Sequence, residues 1–376
     1  MNEIPNEQEE QQTRDSVPAA EPSPAAEPTV ELAAEAVTPP ETVAPPPTGD
    51  GQPQLLVDCS IAKKRFSSVG LSCIVLLAGA TVLQLLLMIP IYLVETLSEN
   101  MWYLAAASYL PIFIAGYPLC MTVMRCVPRG KLEKQKMSAK GFFVCALMSI
   151  ALLYVGNYIG LAVTALIRLV TGGAAANPLE ALADSNILVR ILFMVIAAPL
   201  CEEYIFRKQM IDRLHRYGEG VSILVSALLF GLIHGNLSQF FYAFLLGALF
   251  AYIYTRTGTI WYTVALHALI NFLGGIVSSL VAEAMPADPT ALMNAAPEEI
   301  VAMAAVGIYS LALMAAMIAG IVLLIKRRRR FVFLPTEAEI PKGLRAKTAF
   351  RNVGMILALV LLGLMTILQS LVLLQV

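Results

Sequence analysis

The chain has 376 residues, of which 58% are apolar and 14% charged, with a mean hydropathy of +0.71. A soluble globular domain carries about 45–50% apolar and about 25% charged residues, so these values exclude one and point to a polytopic membrane protein. The net charge of −1 hides a division: residues 1–58 hold twelve acids against one arginine, and the rest of the chain carries the compensating positive charge.

In chain order, residues 1–57 are rich in Pro, Ala and Glu, with eleven of the 22 prolines. Such a segment cannot bury enough apolar surface to offset its ordering entropy, so a disordered acidic tail on the cytoplasmic side is expected. It has neither the basic nor the apolar region of a signal peptide, so the first span is expected to act as its own insertion signal. Nine apolar segments follow, near 68–96, 102–124, 141–169, 187–213, 220–236, 238–255, 259–282, 301–325 and 351–375. Backbone groups in lipid must be satisfied within the segment, so each is read as a helix. The fifth and sixth are short and meet at "HGNLSQ", which reads as a tight turn. The expected fold is all-α, a transmembrane bundle of about nine spans, divided into helices of 58–186, a central core of 187–283 and a C-terminal part of 284–376. The six cysteines form no CxxC pair, and no disulfide framework is expected.

Of the 26 Lys and Arg, 23 fall in alternate connections, and the intervening connections 97–101, 170–186 and 283–300 hold none. The positive-inside rule then puts the N-terminus in the cytoplasm and the C-terminus outside. The run Arg327–Arg330 reads as a stop signal at a cytoplasmic boundary, not as a nucleic-acid site.

Glu202 and Glu203 fall well inside a span, and His234 and His267 lie inside two others. Ionisable groups in hydrocarbon are costly and usually face a cavity or one another. Glu202 is eleven residues from Arg213, and His267 eleven from Arg256. At about 1.5 Å per residue both lie roughly 16 Å from the basic end, with His234 deeper at roughly 24 Å. Glu203 and Arg207 stand at i and i+4 with the acid first, the favourable order for an ion pair on one helix face. That makes Glu203 a brace and leaves Glu202 as the candidate general base. Phe230 and His234 share one helix face, as do His267 and Asn271. Gly231, Gly235, Gly247, Gly274 and Gly275 would let these helices approach closely.

This set can activate water in two ways. A carboxylate with a histidine can take its proton while a histidine and an asparagine donate to a developing oxyanion. Alternatively Glu202, His234 and His267 could hold a divalent metal such as zinc, which would acidify a bound water. Both describe amide hydrolysis. There is no GxSxG and no HExxH, and Cys201 beside Glu202 points to another face.

The three motifs "EEYIFR" (202–207), "FGLIH" (230–234) and "HALIN" (267–271), in that order, resemble the CPBP family of intramembrane proteases, which includes type II CAAX prenyl endopeptidases and Abi-type immunity proteins. The resemblance covers roughly Arg190 to Gly275. It implies a helical-bundle peptidase in which Glu202 activates water and His234 assists or ligates. His267 and Asn271 would stabilise the oxyanion, or His267 would join a metal site, with Glu203 and Arg207 bracing the first motif. One departure is Lys208, where a glycine is common. Whether the site uses a metal or works without one stays open at this stage. The expected setting is an integral protein of a bacterial plasma membrane, with lipid around it, a peptide or lipidated protein as substrate and no nucleic-acid partner. The rival readings are a catalytically silent scaffold or immunity factor of the same fold, and a transporter, which the lack of paired broken helices disfavours.

Overall fold

The structure, a computed structural model, describes residues 29–30, 58–171, 186–285 and 296–372. The expectation of a disordered tail over 1–57 lies outside the described residues, except for Thr29–Val30, which pair in parallel with Lys136–Met137. The architecture is all-α. Among the described residues nine long helical segments run in chain order: α1 Cys59–Leu93, α2 Met101–Met124, α3 Ala139–Thr171, α4 over 187–214, α5 Glu219–Ile233, α6 Leu237–Thr257, α7 Ile260–Glu283, α8 Pro297–Arg327 and α9 Val353–Val372. They follow the nine apolar segments one for one. Seven are long and apolar enough to cross a membrane. The two that are not are α4, which is dense with charge between Glu202 and Arg213, and α5. The 15 residues of α5 span about 22 Å, short of a hydrocarbon core of about 30 Å.

Local chemistry sets the helix starts. Asp58, Asn100, Asn186 and Asn236 each accept a hydrogen bond from a backbone N–H of the first turn, the standard way to satisfy an orphan helix donor. The turn expected at "HGNLSQ" is there. Gly235 adopts φ +70° between α5 and α6, a left-handed conformation that a side chain would strain.

Two apolar clusters build the bundle. One joins α1, α2, α4, α5 and α9 around Phe66, Phe206 and Phe230. The other joins α3, α6, α7 and α8 around Met148, Phe250 and Leu266. Close approach is set by backbone without side chains. A Cβ at Gly156 of α3 would lie 2.3 Å from the Tyr242 Cα of α6, so the two helices touch backbone to backbone there. Of the five glycines expected to bring helices together, Gly231, Gly247 and Gly275 do so, and Gly235, in the turn between α5 and α6, lies against Met365 and Gln369 of α9. Gly274 is a correction: a Cβ there would meet nothing within 4 Å. It shares a sequence neighbourhood with Gly275 but stands about 100° round the helix from it. All six cysteines are free.

Helices α2, α4 and α7 are not uniform. Segments of π-helix run over Ile112–Gly116, Ile191–Ala197, Tyr204–Ile211 and Phe272–Val277. The last three flank the acidic pair on both sides and follow Asn271. Such widened turns are rare and concentrate at functional sites. Lys208 does not break the helix; it continues through Leu214.

Candidate active site

A cavity of about 180 Å³ lies between α2, α4, α5, α6 and α7. Glu202, His234, His267 and Asn271 all line it, so the structure brings these four sequence candidates to one place. Glu203 and Arg207 are fully buried and do not line it. Cys201 is absent from the lining as well.

Behind the wall the bracing is tight. The Arg207 Nε stands 3.1 Å from Glu203 Oε2, and its guanidinium lies 4.3 Å from the Phe230 ring centroid and 5.6 Å from that of Phe250. An Arg fork stacked on aromatic rings is a favourable way to bury the cation. The other carboxylate oxygen of Glu203 accepts from His267 Nδ1 at 2.9 Å. Spacing alone foresaw the Glu203–Arg207 pair, but not this second bond, which depends on how α4 and α7 face each other. Its consequence is chemical. With Nδ1–H donated to a carboxylate, His267 turns Nε2 towards Glu202, whose Oε2 is 3.9 Å away. Neutral His267 therefore presents a lone pair at Nε2, and it donates there only when protonated.

His234 is held in a similar way. It ends α5, and its Nδ1 donates to the Phe230 carbonyl at 2.7 Å, which leaves Nε2 as the free ring nitrogen. Its ring packs edge-on to Phe230 with centroids 5.0 Å apart. Phe230 touches both histidines and Arg207, so the apolar residue of the second motif is the common spacer of the site. Asn271 donates one amide hydrogen to the Met194 carbonyl on α4 at 2.8 Å. That carbonyl belongs to the π segment Ile191–Ala197, and the bond leaves the second amide hydrogen of Asn271 for the cavity.

The metal set drawn from the sequence is not assembled. Each histidine does donate its second ring nitrogen to an oxygen, as metal-ligating histidines do. Yet among the described residues no three His, Cys, Asp or Glu side chains stand close enough together to hold an ion, so Glu202, His234 and His267 do not fit one as they stand. The cavity also holds residues that the motif reasoning missed: Tyr109, Gln239 and Tyr242. Their polar ends sit in runs that read as ordinary membrane-interface sequence. The repeat of 239, 242, 243, 246 and 250 along α6 is the signal that could have found two of them.

The sequence profile of the type II CAAX prenyl endopeptidase Rce1-like family matches residues 184–273, which contain all three motifs. A putative membrane peptidase, YdiL of Bacillus subtilis (strain 168), is 26% identical over 177 residues, covering 46% of this chain and 72% of that protein. No solved structure matches.

Proposed function

We propose, from the CPBP-family protease segment at the centre of this chain, that the protein hydrolyses peptide bonds of membrane-associated or CAAX-like substrates at the Glu202 cavity. One observation carries the reading: Glu202 and His267 both line the cavity, with Glu202 Oε2 3.9 Å from His267 Nε2. The Glu202 side chain is partly exposed, so a water in the cavity can hydrogen-bond to its carboxylate.

Charge counting supports the roles. Glu203 and Arg207 neutralise each other, which leaves Glu202 as the carboxylate free to act on a water. As the water oxygen bonds to the carbonyl carbon, Glu202 takes its proton. The carbonyl oxygen gains the negative charge, and the free Asn271 hydrogen donates to it. Glu202 passes the water proton to His267 Nε2, and His267 gives it to the departing amine as the C–N bond breaks. His234 lines the same cavity with its Nε2 free and orients the water or the carbonyl. Glu203 and Arg207 act through His267 by holding its ring. No step passes through a metal. The Lys and Arg distribution supports a basic end at the cytoplasmic face.

The test uses purified wild type and Glu202→Gln in detergent. The probe is a mixture of a prenylated CAAX peptide and unmodified transmembrane peptides, with products read by mass spectrometry. Loss of the base is expected to slow cleavage by about 10²–10⁴-fold. A Glu202→Gln protein that cleaves as fast as wild type overturns the assignment. A chelator is expected to leave the rate unchanged; a loss restored by zinc would move the chemistry to a metal.

A further inference from the structure

An apolar cavity that admits a peptide must do more than attack one carbonyl. Each peptide unit entering with the scissile bond brings an N–H and a C=O, and leaving one unpaired costs about 2–7 kcal/mol. The acids, histidines and Asn271 are taken up by the reaction and by one another. Among the described residues, Tyr109 of α2 is one lining group left over, and the wall formed by α6 carries two more. Gln239, Tyr242, Ala243, Leu246 and Phe250 line it from a single helix face.

Two facts distinguish Gln239 and Tyr242 on that face. Neither the Gln239 carboxamide nor the Tyr242 hydroxyl has a hydrogen-bond partner among the described residues, and neither is sealed within packing. Tyr242 lines the same cavity as Glu202. The helix that carries them is held firmly. Asn236 caps it through Gln239 N–H at 2.9 Å, and Leu237 N–H donates to Ser370 Oγ at 2.9 Å. The backbone of Tyr242 lies against Gly156, and that of Ser238 against Gly160 one turn along α3. A polar group on a fixed backbone loses little entropy on binding.

We infer that Gln239 and Tyr242 are substrate-positioning residues that hydrogen-bond the extended peptide backbone beside the scissile bond, across the cavity from Glu202. A carboxamide carries both a donor and an acceptor, so Gln239 can pair with the C=O and the N–H of one peptide unit, while Tyr242 donates to a carbonyl. The cavity size agrees with this division. About 180 Å³ is below the roughly 300–1,000 Å³ of small-molecule pockets. It suits a short stretch of backbone and leaves the lipophilic remainder of a substrate outside.

This inference rests on the peptidase reading, and its test separates the two. Tyr242→Phe and Gln239→Met would be assayed on the best-cleaved peptide of the same mixture, and on versions with one amide next to the scissile bond replaced by an ester. Each variant is expected to raise KM about three- to tenfold, the loss of one or two ordinary hydrogen bonds, while kcat falls less than twofold. For one ester position the substrate penalty and the variant penalty should not multiply, because both remove the same bond. A purely structural role would lower the melting temperature and kcat together and leave the ester and variant effects independent. Wild-type cleavage with unchanged KM in both variants, or independent penalties at every position, overturns this inference alone. Failure of the wild type to cleave any peptide overturns the peptidase reading and this inference with it. Should Tyr242→Phe fail to fold, Gln239→Met carries the same comparison.

Discussion

At the basic end of α4, Asp212 holds Lys208 at 2.9 Å and accepts from the Tyr254 hydroxyl at 2.6 Å. About three turns along the same helix, Glu202 faces the cavity with no hydrogen bond to its buried Oε2 among the described residues. Both carboxylates sit in one apolar bundle, and their surroundings have opposite designs. The basic end is more fully paired, although Glu219 Oε1, Gln209 Nε2 and Arg216 Nε are buried there without a hydrogen-bond partner among the described residues. Arg213 donates to the Met124 carbonyl and to Gln209, and Glu219 takes Arg256 at 3.0 Å and the backbone N–H of Leu334. The cavity end closes Glu203 with Arg207 and His267 and leaves its neighbour open. Burying a charge is costly, and full pairing offsets the cost. Glu202 differs from Glu219, whose Oε1 is also unpaired among the described residues, in lining a cavity, so it is the acid that something arriving can meet.

That contrast can be broken most forcefully at Arg207. If the pair behind the cavity is closed, removing one member strands a fully buried charge. Arg207→Leu is expected to destabilise by about 3–5 kcal/mol and to release the His267 ring, so thermal melting in detergent and cleavage should fall together. The double variant Glu203→Gln with Arg207→Met should recover part of the melting temperature but not the activity, since a neutral Gln holds His267 less firmly. Equal stability of Arg207→Leu and wild type would mean that the pair is not closed. A smaller effect belongs to the basic end. Asp212→Ala leaves the Tyr254 hydroxyl without its acceptor, and the expected loss is about 1–3 kcal/mol. The folded variant should keep its kcat, because Asp212 touches nothing in the cavity. A drop in kcat at full stability would join the two regions that the geometry separates.

How far each region could be read in advance follows from the physics that sets it. Glu202, His234, His267 and Asn271 were legible because polar groups in hydrocarbon stand out against an apolar background, and helical spacing assigns them to faces. The Glu203–Arg207 pair was legible because both members lie on one helix. The Glu203–His267 bond was not, since it depends on the rotation of α4 against α7. The π segments were equally hidden: no residue pattern in "ILFMVIA" or "FLGGIV" distinguishes a widened turn from an ordinary one. Gln239 and Tyr242 lie in "NLSQFFYAF", where polar and aromatic residues mix as they do at any membrane interface. Seven helices were read on apolar length alone; α4 and α5 were read as spans too, though one is charged and the other short.

The gentlest probe of the contrast is pH, applied at the connection between α4 and α5. His215 lies there, outside the helices that cross the bundle. Burial holds its imidazole below the ordinary value of 6.5, with Arg256 pushing the same way while Glu219, Asp212 and Glu337 pull it back up. The unfolded chain therefore takes up a proton near pH 6.5 while the folded protein does not. Folding gains nothing from this group above about pH 7, and stability is lost as pH falls from about 6.5 through the folded value. Melting temperature should decline over that window in wild type and decline less in His215→Gln. Because His215 and its neighbours do not line the cavity, kcat of the folded protein should follow the same pH profile in both. A profile that shifts with His215→Gln would show that the basic end feeds the cavity end, and the division between them would have to be given up.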